Sequence, residues 1–150
     1  GRVVFRLPAY SRNLRTEIKR GRKVYFYDNG IRNALISNFA PLEMRNDVGM
    51  LWENLMVSER VKRNAYCRNY AQMFFWRTTQ QQEIDLIEEK DGQLEAYEFK
   101  WKNKNVRLPK TFVESYPGTP LNVINPESYA DFLSVGWGIG YSIPSTSLSR

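Results

Sequence analysis

Residues 83–101, EIDLIEEKDGQLEAYEFKW, decide the fold. Asp91-Gly92 is a strong two-residue hairpin signal, because glycine accepts the positive φ that a type I′ turn demands. With these two at the tip, Lys90 faces Gln93, and the residue numbers of every opposed pair total 183. A four-residue tip keeps that register, whereas a three-residue loop would slip it by one. Asp85 therefore faces Glu98. Like charges directly opposite on a sheet are destabilising, so the pairing needs a reason. Alternation puts Lys100 on the same face as Glu98, one step further along its strand. Two carboxylates and an ammonium are gathered at one place.

The 150 residues suit one domain. The chain has no histidine, which removes Ser-His-Asp catalysis, Cys-His catalysis and His-ligated zinc together. Its single cysteine, Cys67, excludes an intrachain disulfide and fits a reducing, cytoplasmic setting, where it serves as an inert hydrophobe. No apolar run approaches a membrane span and no secretory signal is present, so no membrane partner is expected. The opening at Gly1, with strand-like residues at once, reads as a fragment of a longer protein. The net charge of +6 is uneven. Residues 2–23 hold eight cations against Glu17 alone, and smaller basic runs follow at 60–68 and 100–110. Such density suits a phosphate backbone or an acidic protein surface, and a solvated surface stretch accounts for it equally well.

Along the chain, RVVFRL (2–7) predicts a strand that Pro8 stops, and any helix in the basic stretch that follows ends at Gly21. KVYFYD (23–28) predicts an aromatic strand, and Asp28 suits the N-cap of a helix through NGIRNALISNF. Pro41 and Glu43 open a helical region centred on 48–67. Strands follow at 72–77, 83–90 and 93–101, then a helix in LPKTFVESY, a short strand in PLNVINPESY and a turn at ADFLS. After the preamble the order is α-β-β-β-α-β, an α/β sandwich with a mixed central sheet flanked by helices. The domain is expected to span 1–135, with a basic preamble at 1–40, a core at 41–135 and a tail at 136–150. Trp52, Trp76 and Trp101 are expected in the core.

On the long helix, Met50, Met56 and Val57 flank Glu53 at the i±3 and i±4 positions, so Glu53 interrupts an apolar face. A buried carboxylate must be paired, hydrogen-bonded or bound to metal. A structural salt bridge is one solution. The other is that Glu53 points at the sheet that carries Asp85 and Glu98. Three acids and a lysine without histidine suit a hard cation such as Mg²⁺ (or Mn²⁺), which would cancel the hairpin's repulsion. Lys100 beside it could orient or acidify water, or meet charge developing on a phosphate.

Glu53 on its helix, the Ile84-Asp85 pair and the Glu98-Phe99-Lys100 triplet resemble the PD-(D/E)XK nuclease superfamily, with its restriction-endonuclease-like fold. The phrases KVYFYDNGIRNALI, LWENLMVSERVKR, FFWRTTQQQEIDLI and AYEFKW are similar to the C-terminal domain of bacterial AAA-type ATPases, over roughly residues 3 to 133. Ile84 stands where the superfamily name has a proline. The resemblance implies metal ligation by Glu53, Asp85 and Glu98, catalysis assisted by Lys100, and a parent protein with ATPase and winged-helix modules. Two functions are in view: a Mg²⁺-dependent nuclease acting on DNA, and a non-cleaving nucleic-acid- or protein-binding module of the ATPase. Arg12, Arg15, Lys19 and Arg20 are the candidate DNA contacts. Oligomeric state stays open.

Overall fold

The computed structural model describes residues 4–12, 15–19, 21–27, 47–102 and 104–135. The helix expected from Asp28, the Pro41–Glu43 opening, Arg20 and the tail at 136–150 lie outside the described residues. Strands β1 (Val4–Pro8) and β2 (Arg22–Phe26) form an antiparallel pair. The order α1 (Val48–Tyr66), β3 (Gln72–Arg77), β4 (Glu83–Lys90), β5 (Gln93–Phe99), α2 (Lys110–Ser115), β6 (Leu121–Ile124) and α3 (Tyr129–Leu133) follows. The expected α-β-β-β-α-β succession is present, extended by the short α3 where a turn was expected. In the four-stranded sheet β3-β4-β5-β6 the first two pairings are antiparallel and the last is parallel, so the sheet is mixed.

Both turn residues of the β4–β5 hairpin take positive φ, 52° at Asp91 and 76° at Gly92, as a type I′ turn requires. The register total of 183 is realised from Lys90↔Gln93 to Leu86↔Tyr97. The sheet is covered on both faces. On one, Trp52, Leu55, Met56 and Val57 of α1 and Phe132 and Leu133 of α3 meet Phe75, Leu86, Tyr97 and Phe99. On the other, Phe112 and Tyr116 meet Trp76, Ile84, Ile87 and Ala96. Trp52 and Trp76 are fully buried, and Trp101 packs edge-on against Trp52.

The basic stretch does not form a helix at its described residues 15–19. It straps the outer edge of β3 through bridges Ala9↔Phe75 and Glu17↔Thr78. Glu17, the sole acid there, turns inward and accepts hydrogen bonds from Trp76 Nε1 (3.0 Å), Tyr116 Oη (2.6 Å) and the Arg12 N–H (2.9 Å). A buried carboxylate with three donors outweighs local helix propensity, and the strap also covers an edge strand.

Helix α1 is locked to the sheet by a buried ion pair. Arg60 grips Glu88 with Nε at 2.7 Å and Nη2 at 2.8 Å, and Asn64 Nδ2 adds a donor at 3.1 Å. Arg60 also donates to the Phe132 carbonyl, which ties in α3. Removing one partner of such a pair strands a charge in the interior. Glu88→Gln should therefore cost about 3 kcal/mol or more in urea unfolding, whereas the double replacement Arg60→Met with Glu88→Leu should recover most of that loss. Equal losses in the two variants would show that apolar packing, not the charge pair, holds α1 in place.

Candidate active site

The site begins at an irregularity between β3 and β4. Phe74 faces Ile87 and Trp76 faces Ile84, so Asp85 and Leu86 together stand against Phe75 alone. This β-bulge resets the alternation. Ile84 and Ile87 pack on the α2 face although two residues separate them, and Leu86 packs on the α1 face. The ladder with β5 ends at Leu86↔Tyr97. At the next position in that register stand Asp85 and Glu98, whose carboxylates take main-chain donors from across the strands. The Asp85 N–H donates to Glu98 Oε1 (3.2 Å), and the Phe99 N–H donates to Asp85 Oδ2 (2.9 Å). Each carboxylate thus accepts a main-chain donor that the parted strands would otherwise leave unpaired.

Lys100, beyond the end of β5, places Nζ 3.6 Å from Glu98 Oε2. Glu53, on the second turn of α1, does not point freely to solvent. Its Oε2 accepts from Lys23 Nζ at 2.8 Å and from Tyr25 Oη at 2.6 Å, so a salt bridge is formed, to a lysine of β2. Lys23 also reaches Glu83 Oε1 at 2.7 Å, and Arg77 approaches the other Glu83 oxygen at 3.4 Å. The apolar surround expected for Glu53 is incomplete: Met56 and Val57 are buried, but Met50 is 76% exposed. A cleft of about 430 Å³ is lined by Glu53, Asp85, Phe99, Lys100, Lys102 and Lys104, among others.

Burial, with the charges of Glu53 and Glu98 added, pushes the Asp85 carboxyl up to about 8. Burial also raises Glu98, partly offset by Lys100 and the Asp85 N–H. For Lys23, burial opposes the charge, but Glu53 and Glu83 outweigh it and the ammonium titrates above its usual range. Among the described residues no three histidine, cysteine or acidic side chains converge as a ready-made metal cage. What is preformed is the pair Asp85 and Glu98, with Glu53 beside it under Lys23.

The residues that the sequence reading nominated divide by place. Glu53, Asp85, Glu98 and Lys100 are brought to one end of the sheet. Arg12 is not: it pairs with Glu89 at 3.4 Å, and four residues of β4, roughly 13 Å, separate that position from Asp85. Arg15 and Lys19 are exposed on the strap. Lys23, Tyr25, Lys102 and Lys104 were not nominated. The alternation of Lys23 and Tyr25 along β2 puts both on one strand face, which was the available signal. Nothing in the spacing tied that face to Glu53.

A raised carboxyl pKa favours the protonated native state. Its stabilising contribution is whole below the unfolded value near 4 and is lost as pH rises through about 8. Asp85→Asn cannot ionise, so its stability relative to wild type should climb between pH 5 and 8.5, by an amount on the order of a few kcal/mol. Metal-free thermal melts across that range test this. A constant difference would mean that Asp85 is not held under electrostatic pressure.

No curated relative and no solved structure matches the chain. A family profile described as a domain of unknown function, DUF4143, matches residues 48–134, from the start of α1 to just past α3, and leaves the β1–β2 pair outside. More than half of the residues fall within that match, so the chain belongs to the DUF4143 family, a domain found in AAA-ATPase-associated proteins.

Proposed function

We propose that this domain is a divalent-metal-dependent phosphodiesterase of the PD-(D/E)XK type that acts on DNA, as the C-terminal arm of an AAA-type ATPase that also carries a winged helix. The observation that carries the reading is the bulge at Asp85. It costs a strand pair and sets a half-buried acid beside a buried one, like charges that repel each other. The donor set fits Mg²⁺ or Mn²⁺: hard oxygens only, with two carboxylates at close quarters. Mg²⁺ asks for no more than one or two carboxylates when water and phosphate oxygens complete its shell. When bound, the cation would supply Lewis acidity toward a phosphodiester oxygen or a water.

The chain's own groups then have separable work. Asp85 and Glu98 would hold the cation, and their main-chain hydrogen bonds fix their orientation. Lys100, tethered by Glu98, offers positive charge to the phosphate as water oxygen bonds to phosphorus and the bond to one sugar oxygen breaks. Lys102 and Lys104 line the same cleft and can follow the backbone on either side of the reacting phosphate. One observation favours the alternative, a non-cleaving binding module: a cation, Lys23, already sits on Glu53.

The deciding experiment is cleavage of supercoiled, linear and single-stranded DNA with Mg²⁺ or Mn²⁺. Activity is expected to fall by about 10²-fold or more in Asp85→Asn and in Lys100→Met. If no DNA form is cut with either metal, the binding-module reading replaces this one. DNA binding provides a second check. Replacing Lys102 and Lys104 by alanine should lower the slope of log K against log salt by about 2, at roughly 0.9 per phosphate contact. A further fall on replacing Arg12, Arg15, Lys19 and Arg20 would trace DNA along the β3 strap, and an unchanged slope there would assign the strap to another partner.

A further inference from the structure

We infer that Lys23 is a counter-ion latch on the carboxylate site. Its ammonium holds Glu53 until a divalent cation takes over, so the β1–β2 pair, outside the matched family segment, sets how tightly the site binds metal. This rests on reading the cleft as a divalent-metal site.

The latch is built from one strand. Lys23 and Tyr25 lie on the same face of β2, and both reach Glu53 Oε2, at 2.8 and 2.6 Å. One residue along α1, the Asn54 side chain accepts from the Phe26 N–H (2.8 Å) and donates to the Phe26 carbonyl (2.9 Å). Asn54 thus anchors the strand to the helix by neutral bonds that need no ion pair. The lysine contact can change while the strand stays docked.

The ammonium also has a second seat. Its bond to Glu83 Oε1, at 2.7 Å, is as short as the bond to Glu53. A dication between Asp85 and Glu98 would repel Lys23 and attract Glu53. Withdrawal onto Glu83 alone answers both forces with only a side-chain movement. Arg77 already touches the other Glu83 oxygen, so Glu83 stays compensated in either state. A lysine suits this duty, being a point charge on a flexible stem, where arginine's planar fork favours one fixed geometry. The two states are Lys23 bridging Glu53 and Glu83, and Lys23 on Glu83 with Glu53 released to the cation.

Calorimetric titration of the whole chain with Mn²⁺ tests the latch. Lys23→Gln should bind Mn²⁺ about tenfold more tightly than wild type or tighter, because a competing charge has gone. Lys23→Arg should bind no more tightly than wild type, and Glu83→Gln, which removes the second seat, should weaken binding. Adding Asp85→Asn should abolish the tight binding of Lys23→Gln. Should Lys23→Gln fail to fold, the ¹⁵N resonance of the Lys23 ammonium in wild type supplies the answer: it should shift when Mg²⁺ is added. Equal Mn²⁺ affinity in wild type and Lys23→Gln, or a Lys23 resonance that ignores Mg²⁺ while metal binds in an Asp85-dependent manner, overturns the latch and leaves the metal site standing. If no variant binds metal through Asp85, the metal reading fails and takes the latch with it.

Discussion

The Arg60–Glu88 ion pair is the contact on which the placement of everything else depends. Both charges are buried, and their desolvation would be costly if either were left short of partners. Neither is. The bidentate pair is completed by Asn64 on one side and by the Phe132 carbonyl on the other, with the Phe132 ring 4.5 Å from the guanidinium carbon. Helix α1, strand β4 and helix α3 meet at this point. Glu53 lies seven residues before Arg60, two turns or about 10.5 Å along the helix. Asp85 lies three residues before Glu88, about 10 Å along the strand. Because the two spacings agree, fixing Arg60 on Glu88 brings Glu53 toward Asp85.

The bulge completes that alignment. In an unbroken strand, Asp85 would share a face with Ile87, away from α1. The extra residue opposite Phe75 breaks the alternation at the position where the charge of Glu53 is felt at Asp85. It also ends the ladder with β5, and the freed N–H groups of Asp85 and Phe99 are taken by the two carboxylates. The like-charge pair is therefore not tolerated at random. Two main-chain donors and Lys100 hold it together, burial and mutual repulsion press against it, and both carboxyls are raised.

Much of this was legible in the residues. The Asp91-Gly92 turn set the hairpin register, and the register brought Asp85 and Glu98 together. The bulge was not legible, because EIDLI alternates acceptably on its own and the extra residue is visible only against β3. The basic segment was undecided for a related reason. Its residues leave any helix free to run up to Gly21, but Glu17 is worth more as a buried acceptor for Trp76, Tyr116 and Arg12 than as a helical residue, and only tertiary contacts reveal it. Glu53 was recognised as an acid that needed a partner. That the partner is Lys23 depends on how the β1–β2 pair docks on α1, which no local pattern encodes.

Along α1 two acid–base contacts can be compared, and their chemistry differs in the way their positions require. At the closed end, Glu88 is met by an arginine, whose planar fork fills both carboxylate oxygens and whose charge is permanent. At the cleft end, Glu53 is met by a lysine, which binds one oxygen, divides its donors with Glu83 and stays partly solvent-accessible. The first contact is saturated in geometry and charge, as a fixed joint should be. The second is short but not saturated, and another carboxylate stands ready to receive the cation. An interior that needed only to neutralise Glu53 could have used the arginine solution again, two helical turns from where it already exists. The use of lysine at the cleft, with tyrosine as a neutral second donor, fits a carboxylate that must be held in one state and released in another.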